Sequence, residues 1–189
     1  HDALPIFSQG YSVKRVKAVV TMPEACLAIF VVLSGTLSHS MQRIPGSVLY
    51  SGQYTVFYAH EQDIHICIEA SKHAVILAIF IPATIGGAQL TMYPGLSLFA
   101  TNIKQQTACY LTDEALYMHA GIYDLVTRIL VAPYHKKLHP LYETLCIALL
   151  NEMLSSSLQS KGWRPPVQTV WMQSIYNIKA FIDQRRSEE

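Results

Sequence analysis

Leu138–Leu158, LHPLYETLCIALLNEMLSSSL, is the stretch on which the reading of this chain turns. Leu138, Leu141, Leu145, Leu149 and Met153 recur at helical spacing, and Tyr142, Cys146, Leu150 and Leu154 form a second row beside them. Two apolar rows cover more of a helix than the single stripe of one with a dry side and a wet side. Each buried Leu contributes roughly 1.5–3 kcal/mol, so a row left in water forfeits several such terms. The helix therefore needs cover on both rows. Its own domain is expected to supply one side and a second copy of the chain the other. A central helix wrapped wholly by its own chain fits the same pattern.

The flanks support a helical region. Leu116, Ala120, Tyr123, Val126 and Leu130 give an earlier apolar face, with Thr112 as expected N-cap, Asp113 and Glu114 in the first turn, and Pro133 as the stop. His135-Lys136-Lys137 links it to the opening helix, where Pro140 suits the first turn. Two such helices on a short link are expected to pack as an antiparallel hairpin. Another short helix is expected at Leu96–Lys104, between loops marked by Gly86-Gly87 and Pro94-Gly95. Arg164-Pro165-Pro166 reads as a linker, and Trp171, Ile175, Ile178 and Ile182 as one face of a last helix.

Everything up to about Pro82 reads as β structure. Val16–Val20, the wholly apolar Cys26–Leu33, Thr36–Arg43, Val48–Tyr50, Tyr54–Ala59, Ile64–Glu69 and Ala74–Pro82 are candidate strands. Ser34-Gly35, Ile44-Pro45-Gly46-Ser47, Ser51-Gly52 and Ser71-Lys72 are the turns between them. In Ile64–Glu69 the isoleucines alternate with His65, Cys67 and Glu69, so Ile64, Ile66 and Ile68 are the core candidates. Many short strands with no intervening helix favour a small barrel or jelly roll. The expected class is α+β: a cupin-like barrel over 1–85, a helical dimerisation region over 86–162, and a linker with a further helix over 163–189.

Composition narrows the function. The 189 residues carry 14 basic and 13 acidic side chains, so the chain lacks the basic excess of a nucleic-acid binder. Half of it is apolar (51%), yet runs such as Cys26–Leu33 fall well short of the ~20 residues a membrane helix needs. No signal peptide is visible, and His1 and Asp2 read as possible tag remnants. Cys26, Cys67, Cys109 and Cys146 are scattered in apolar settings without CxxC spacing, which favours buried free thiols in a reducing cytosol.

The order of barrel, helical pair, linker and helix resembles the sensor half of AraC/XylS-family bacterial transcription regulators. Ile175–Glu189, IYNIKAFIDQRRSEE, is similar to the helix that opens the family's DNA-binding unit. Leu111–Leu158 resembles the paired helices of the siderophore-responsive branch. The resemblance implies a regulator cut just inside its DNA-binding half, able to reach DNA only through the missing C-terminal helix-turn-helix units. It further implies a cytoplasmic homodimer that senses a small-molecule effector in its barrel.

Phe30, Tyr50, Tyr54, Phe57 and Tyr58, with His60, are the candidate ligand-binding residues, since apolar walls with a few phenolic hydroxyls suit a small organic ligand. Plain core packing explains the same aromatics. Leu138, Leu141, Leu145, Leu149 and Met153 are the candidate dimer contacts. No nucleophile elbow, phosphate loop or paired carboxylate is present, so no catalytic residue, cofactor or resident metal is expected. The alternative is a metal-dependent cupin enzyme holding its ion with His39, His60, His65 and Glu69. A filled barrel kept only as a dimerising scaffold is a third reading.

Overall fold

Among the residues described by the computed structural model (4–12, 15–22, 24–41, 44–60, 62–69, 71–132 and 139–159), eight strands come first. They are β1 Leu4–Ser12, β2 Val16–Met22, β3 Cys26–Ser34, β4 Thr36–Met41, β5 Ile44–Tyr50, β6 Gln53–Ala59, β7 Gln62–Ile68 and β8 Ser71–Pro82. Then follow α1 Ala83–Leu90, a single turn at Pro94–Leu96, α2 Ser97–Lys104, and the two-residue strands β9 Cys109–Tyr110 and β10 Leu116–Tyr117. The helices α3 Ala120–Val131 and α4 His139–Gln159 complete the described part. No described helix is long and apolar enough to cross a membrane.

The strands form two antiparallel sheets, one ordered β1-β8-β3-β6-β10 with β9 also on β6, the other β2-β7-β4-β5. The α+β class and the barrel of the sequence reading are both present. Strand β3 explains why its sequence is apolar at every position. Leu27, Ile29, Val31 and Leu33 face the helices, while Cys26, Ala28, Phe30 and Val32 face the second sheet. A strand covered on both faces has no wet side and so no polar alternation. Strand β7 has a wet side. Ile64 is fully buried between the sheets, with Ile66 and Ile68 partly buried beside it, while Asp63 and His65 are exposed.

The helices pack over the outer face of the first sheet. Near one end of the α3–α4 pair, Tyr142 of α4 donates its hydroxyl to the Ala132 carbonyl. Near the other, His119 contacts Ser156. The pair is thus antiparallel, with its link and Leu138 outside the described residues, as are the expected linker and the helix at Trp171–Ile182.

Three expectations give way. Ile44–Ser47 is strand rather than turn, since Ile44 already pairs with Met41 and Ser47 with His39. Gly86 and Gly87 lie inside α1; Gly86 is buried where a Cβ would collide with the Leu27 side chain, so the residue serves close helix–sheet approach and not a loop. The helix expected after Thr112 starts only at Ala120, because Leu116 and Tyr117 pair with Tyr54 and Gln53 of β6. The Thr112 hydroxyl instead bonds the Glu114 carbonyl in a turn, and His119 caps the helix by accepting from Gly121 N at 3.2 Å. The region expected to be helical therefore sends two short strands back to the barrel.

Candidate functional site

Between the two sheets the side chains are mostly apolar, with one buried histidine among aromatic rings. Phe30 of β3 and Phe57 of β6 meet edge to face at 5.0 Å, and Phe80 of β8 lies 6.2 Å from Phe30. His39 of β4 stands among them, 5.2 Å from Phe30 and 5.4 Å from Phe57. Tyr110 of β9 stacks on the imidazole at 5.5 Å and closes the group. Each ring arrives by strand alternation: Leu37, His39 and Met41 point inward from β4, and Ser38 and Ser40 between them do not.

His39 is 2% exposed. Its Nδ1 lies 3.2 Å from the Tyr110 hydroxyl, and its Nε2 is enclosed with no hydrogen-bond partner among the described residues. Burial pushes the imidazole down to about 4, against a weaker opposing pull from its own backbone, so the ring is neutral at pH 7. The same burial raises the Tyr110 phenol to about 12, which keeps its proton in place. An unbonded polar atom in such a site costs about 1–3 kcal/mol.

The expected ligand residues divide. Phe30 and Phe57 pack between the sheets. Tyr54 and Tyr58 are fully buried on the opposite face of β6, under the helices, because neighbours of Phe57 in a strand cannot share its face. Tyr50 is 58% exposed near the end of β5, and His60 is half-buried just past β6. The sequence reading missed Phe80 and Tyr110, and weighed His39 only as a metal ligand. Phe80 follows from the alternation of β8, but Tyr110 lies in a stretch that carries no strand signal.

The four residues of the metal alternative do not converge. His39 points between the sheets, His65 is exposed on the outer face of β7, and the Glu69 carboxylate is held by Arg15 at 2.7 Å. A groove of about 600 Å³ on that outer face is lined by Lys17, Val19, Ser38, Ser40, His65 and Cys67 among others. Its position on the open sheet makes it a surface furrow rather than the barrel's interior. The four cysteines are all free; Cys26 and Cys146 are buried as expected, while Cys67 and Cys109 are half-buried.

The expected dimer row divides as well. Leu149 and Met153 are fully buried in this chain's own core, together with Cys146, Leu150 and Leu154, so they cannot face a second chain in this structure. Leu141 is 45% exposed, Leu145 is partly buried, and Leu158 is 43% exposed.

No protein-family model matches the sequence, and no curated protein matches it either. Several solved structures resemble it, and one of them shares its fold. Apo ToxT from Vibrio cholerae superposes with a TM-score of 0.51 at 7% identity, over 87% of this chain and 60% of that one. Unsaturated fatty acid-bound ToxT from the same organism gives 0.46 at 11%, over 83% and 55%. The AraC-like transcriptional activator CuxR gives 0.41 at 9%, over 88% and 59%. The chain thus spans about three-fifths of the length of the first of these structures and has its fold.

Proposed function

We propose that the chain is the effector-binding and dimerisation portion of an AraC-like bacterial transcription regulator. The observation that carries this reading is the two-sheet barrel with helices on its outer face, whose inner core packs Phe30, Phe57, Phe80 and Tyr110 around the buried His39. The fold is that of ToxT, an AraC-like regulator, and one ToxT structure holds an unsaturated fatty acid. The proposed effector is a small organic molecule held between the sheets, and the proposed role is binding rather than catalysis. DNA would be reached through helix-turn-helix units beyond Glu189, and the regulator would act in the cytoplasm.

Two copies are proposed to meet along the exposed edge of α4, at Leu141 and Leu145. Ligand occupancy changes DNA binding only if the ligand favours one arrangement of barrel and helices over another. The test is sedimentation of the wild-type chain beside a Leu141→Asp/Leu145→Asp variant. A dimer that becomes a folded monomer supports the assignment. A wild-type chain that sediments as a monomer at micromolar concentration refutes the dimer part.

A further inference from the structure

We propose that the furrow on the outer face of the second sheet binds a small organic carboxylate, with Lys17 as its counter-ion and Ser40 and His65 as hydrogen-bonding partners. The site lies on the far side of that sheet from the barrel's inner core, so it stands or falls independently of the effector reading.

Strand register builds the furrow. Cys67 of β7 pairs with Lys17 of β2 on one side and Ser38 of β4 on the other, and Ser38 pairs in turn with Val48 of β5. Directly paired residues share a face, so Lys17, Cys67, Ser38 and Val48 form one row across all four strands. Two residues along, Val19, His65 and Ser40 form a second row on the same face. That row ends at Gly46, where a Cβ would come 3.2 Å from the Ser40 Cβ. Small side chains thus make the floor. Ser38, Ser40 and Cys67 are half-buried, while Lys17, Val19, His65 and Val48 stand exposed around them. The furrow they enclose, about 600 Å³, is of a size that takes a small molecule.

Charge selects the occupant. The acids at either end of β7 are engaged: Thr21 donates its hydroxyl to the Asp63 carboxylate at 2.7 Å, and Arg15 donates to the Glu69 carboxylate at 2.7 Å. Lys17 has no ion pair among the described residues, and no Asp or Glu is among the furrow's described lining. On the floor, the Ser38 hydroxyl donates to the Cys67 carbonyl at 3.3 Å, and Arg15 donates to the Cys67 sulfur at 3.0 Å. The Ser40 hydroxyl and the His65 ring, paired in register, have no hydrogen-bond partner among the described residues. One ammonium beside two neutral groups matches the single charge and two oxygens of a carboxylate. A phosphate dianion would leave a charge unmatched, and a cation would be repelled by Lys17.

The rest of the occupant is apolar. Val48 is 46% exposed at the far end of the row that Lys17 begins. Strands lie about 4.8 Å apart, so the two ends of the row are separated by three such spacings. The long lysine stem covers part of that span, which leaves a ring's length between its ammonium and Val48.

Four probes test the assignment: phenylacetate, phenethyl alcohol, phenethylammonium and inorganic phosphate. Each is titrated into the whole chain while the backbone amide resonances are followed by NMR. Phenylacetate should move the amides of Lys17, Ser40 and His65, and should bind about fivefold more tightly than the alcohol or the ammonium, the scale set by one solvent-exposed ion pair. Lys17→Gln should weaken phenylacetate about fivefold. Lys104→Gln, which removes an exposed lysine of α2, should leave it unchanged. The alcohol or the ammonium binding as tightly, undiminished binding by Lys17→Gln, an equal loss in Lys104→Gln, or amide shifts confined to other faces overturns the site. Tighter binding by inorganic phosphate overturns the carboxylate class. No binding by any of the four at millimolar concentration overturns the proposal outright.

Discussion

The first sheet separates two cores built from the same three strands but furnished differently. On the helix side, β3, β6 and β8 contribute Leu27, Ile29, Val31, Val56, Leu77, Ile79 and Ile81, which meet Ile122, Val126, Leu149 and Leu150 from the helices. On the side facing the second sheet they contribute Ala28, Phe30, Phe57, Ala59, Ala78 and Phe80, around His39. The first core is mostly aliphatic but also buries the tyrosines Tyr54, Tyr58 and Tyr123, and at its edge His119 meets Ser156 and Tyr93 donates to the Asn151 carbonyl at 3.0 Å. The second holds a polar ring in its middle. Aliphatic side chains ask only for close packing, whereas an imidazole enclosed among aromatic rings gives up stability for a ring nitrogen left without a partner among the described residues.

The largest effect should come from the helix-side core. Leu149→Ala removes a fully buried side chain and should cost about 2–5 kcal/mol by urea denaturation. A loss below about 1 kcal/mol would mean that α4 is not seated on the sheet as described.

The next effect belongs to the inner core and depends on pH. The His39 imidazole has its folded value lowered to about 4 from an unfolded value near 6.5. Between those values the unfolded chain binds the proton more readily, so His39 contributes stability that is fully present above about pH 6.5 and lost as pH falls toward 4. His39→Phe should therefore match or exceed the wild type at pH 7 and outlast it at pH 4, the gap widening by up to about 3 kcal/mol. Parallel stability profiles for the two proteins between pH 7 and 4 would place His39 in water.

The smallest effect lies at the edge of the helix-side core. His119→Ala removes the α3 cap and the contact with Ser156, and should cost about 1 kcal/mol. Stability equal to the wild type would show that the cap contributes nothing.

Much of this was legible in the chain. Strands β3, β6, β7 and β8 follow from apolar runs and alternation, and α4 from its two leucine-rich rows. Where the reading failed, a distant partner overrode a local signal. Gly86-Gly87 has the look of a loop, yet α1 needs a residue without a Cβ against Leu27. Thr112 followed by two acids has the look of a helix start, yet β6 offers Leu116 and Tyr117 backbone partners. Of the aromatic candidates, those named from one strand without regard to its alternation were divided between the two cores. Tyr54 and Tyr58 went to one and Phe57 to the other.

The periodicity of the sequence determined that strands come first and helices follow, and that α4 must be covered on both of its apolar rows, because spacing alone sets which residues share a face. It left open what supplies the cover. Only the tertiary structure seated Leu149 and Met153 in the chain's own core, left Leu141 at the surface, and brought Tyr110 back across the barrel to His39. Those choices depend on contacts between residues far apart in the chain, which no local pattern encodes.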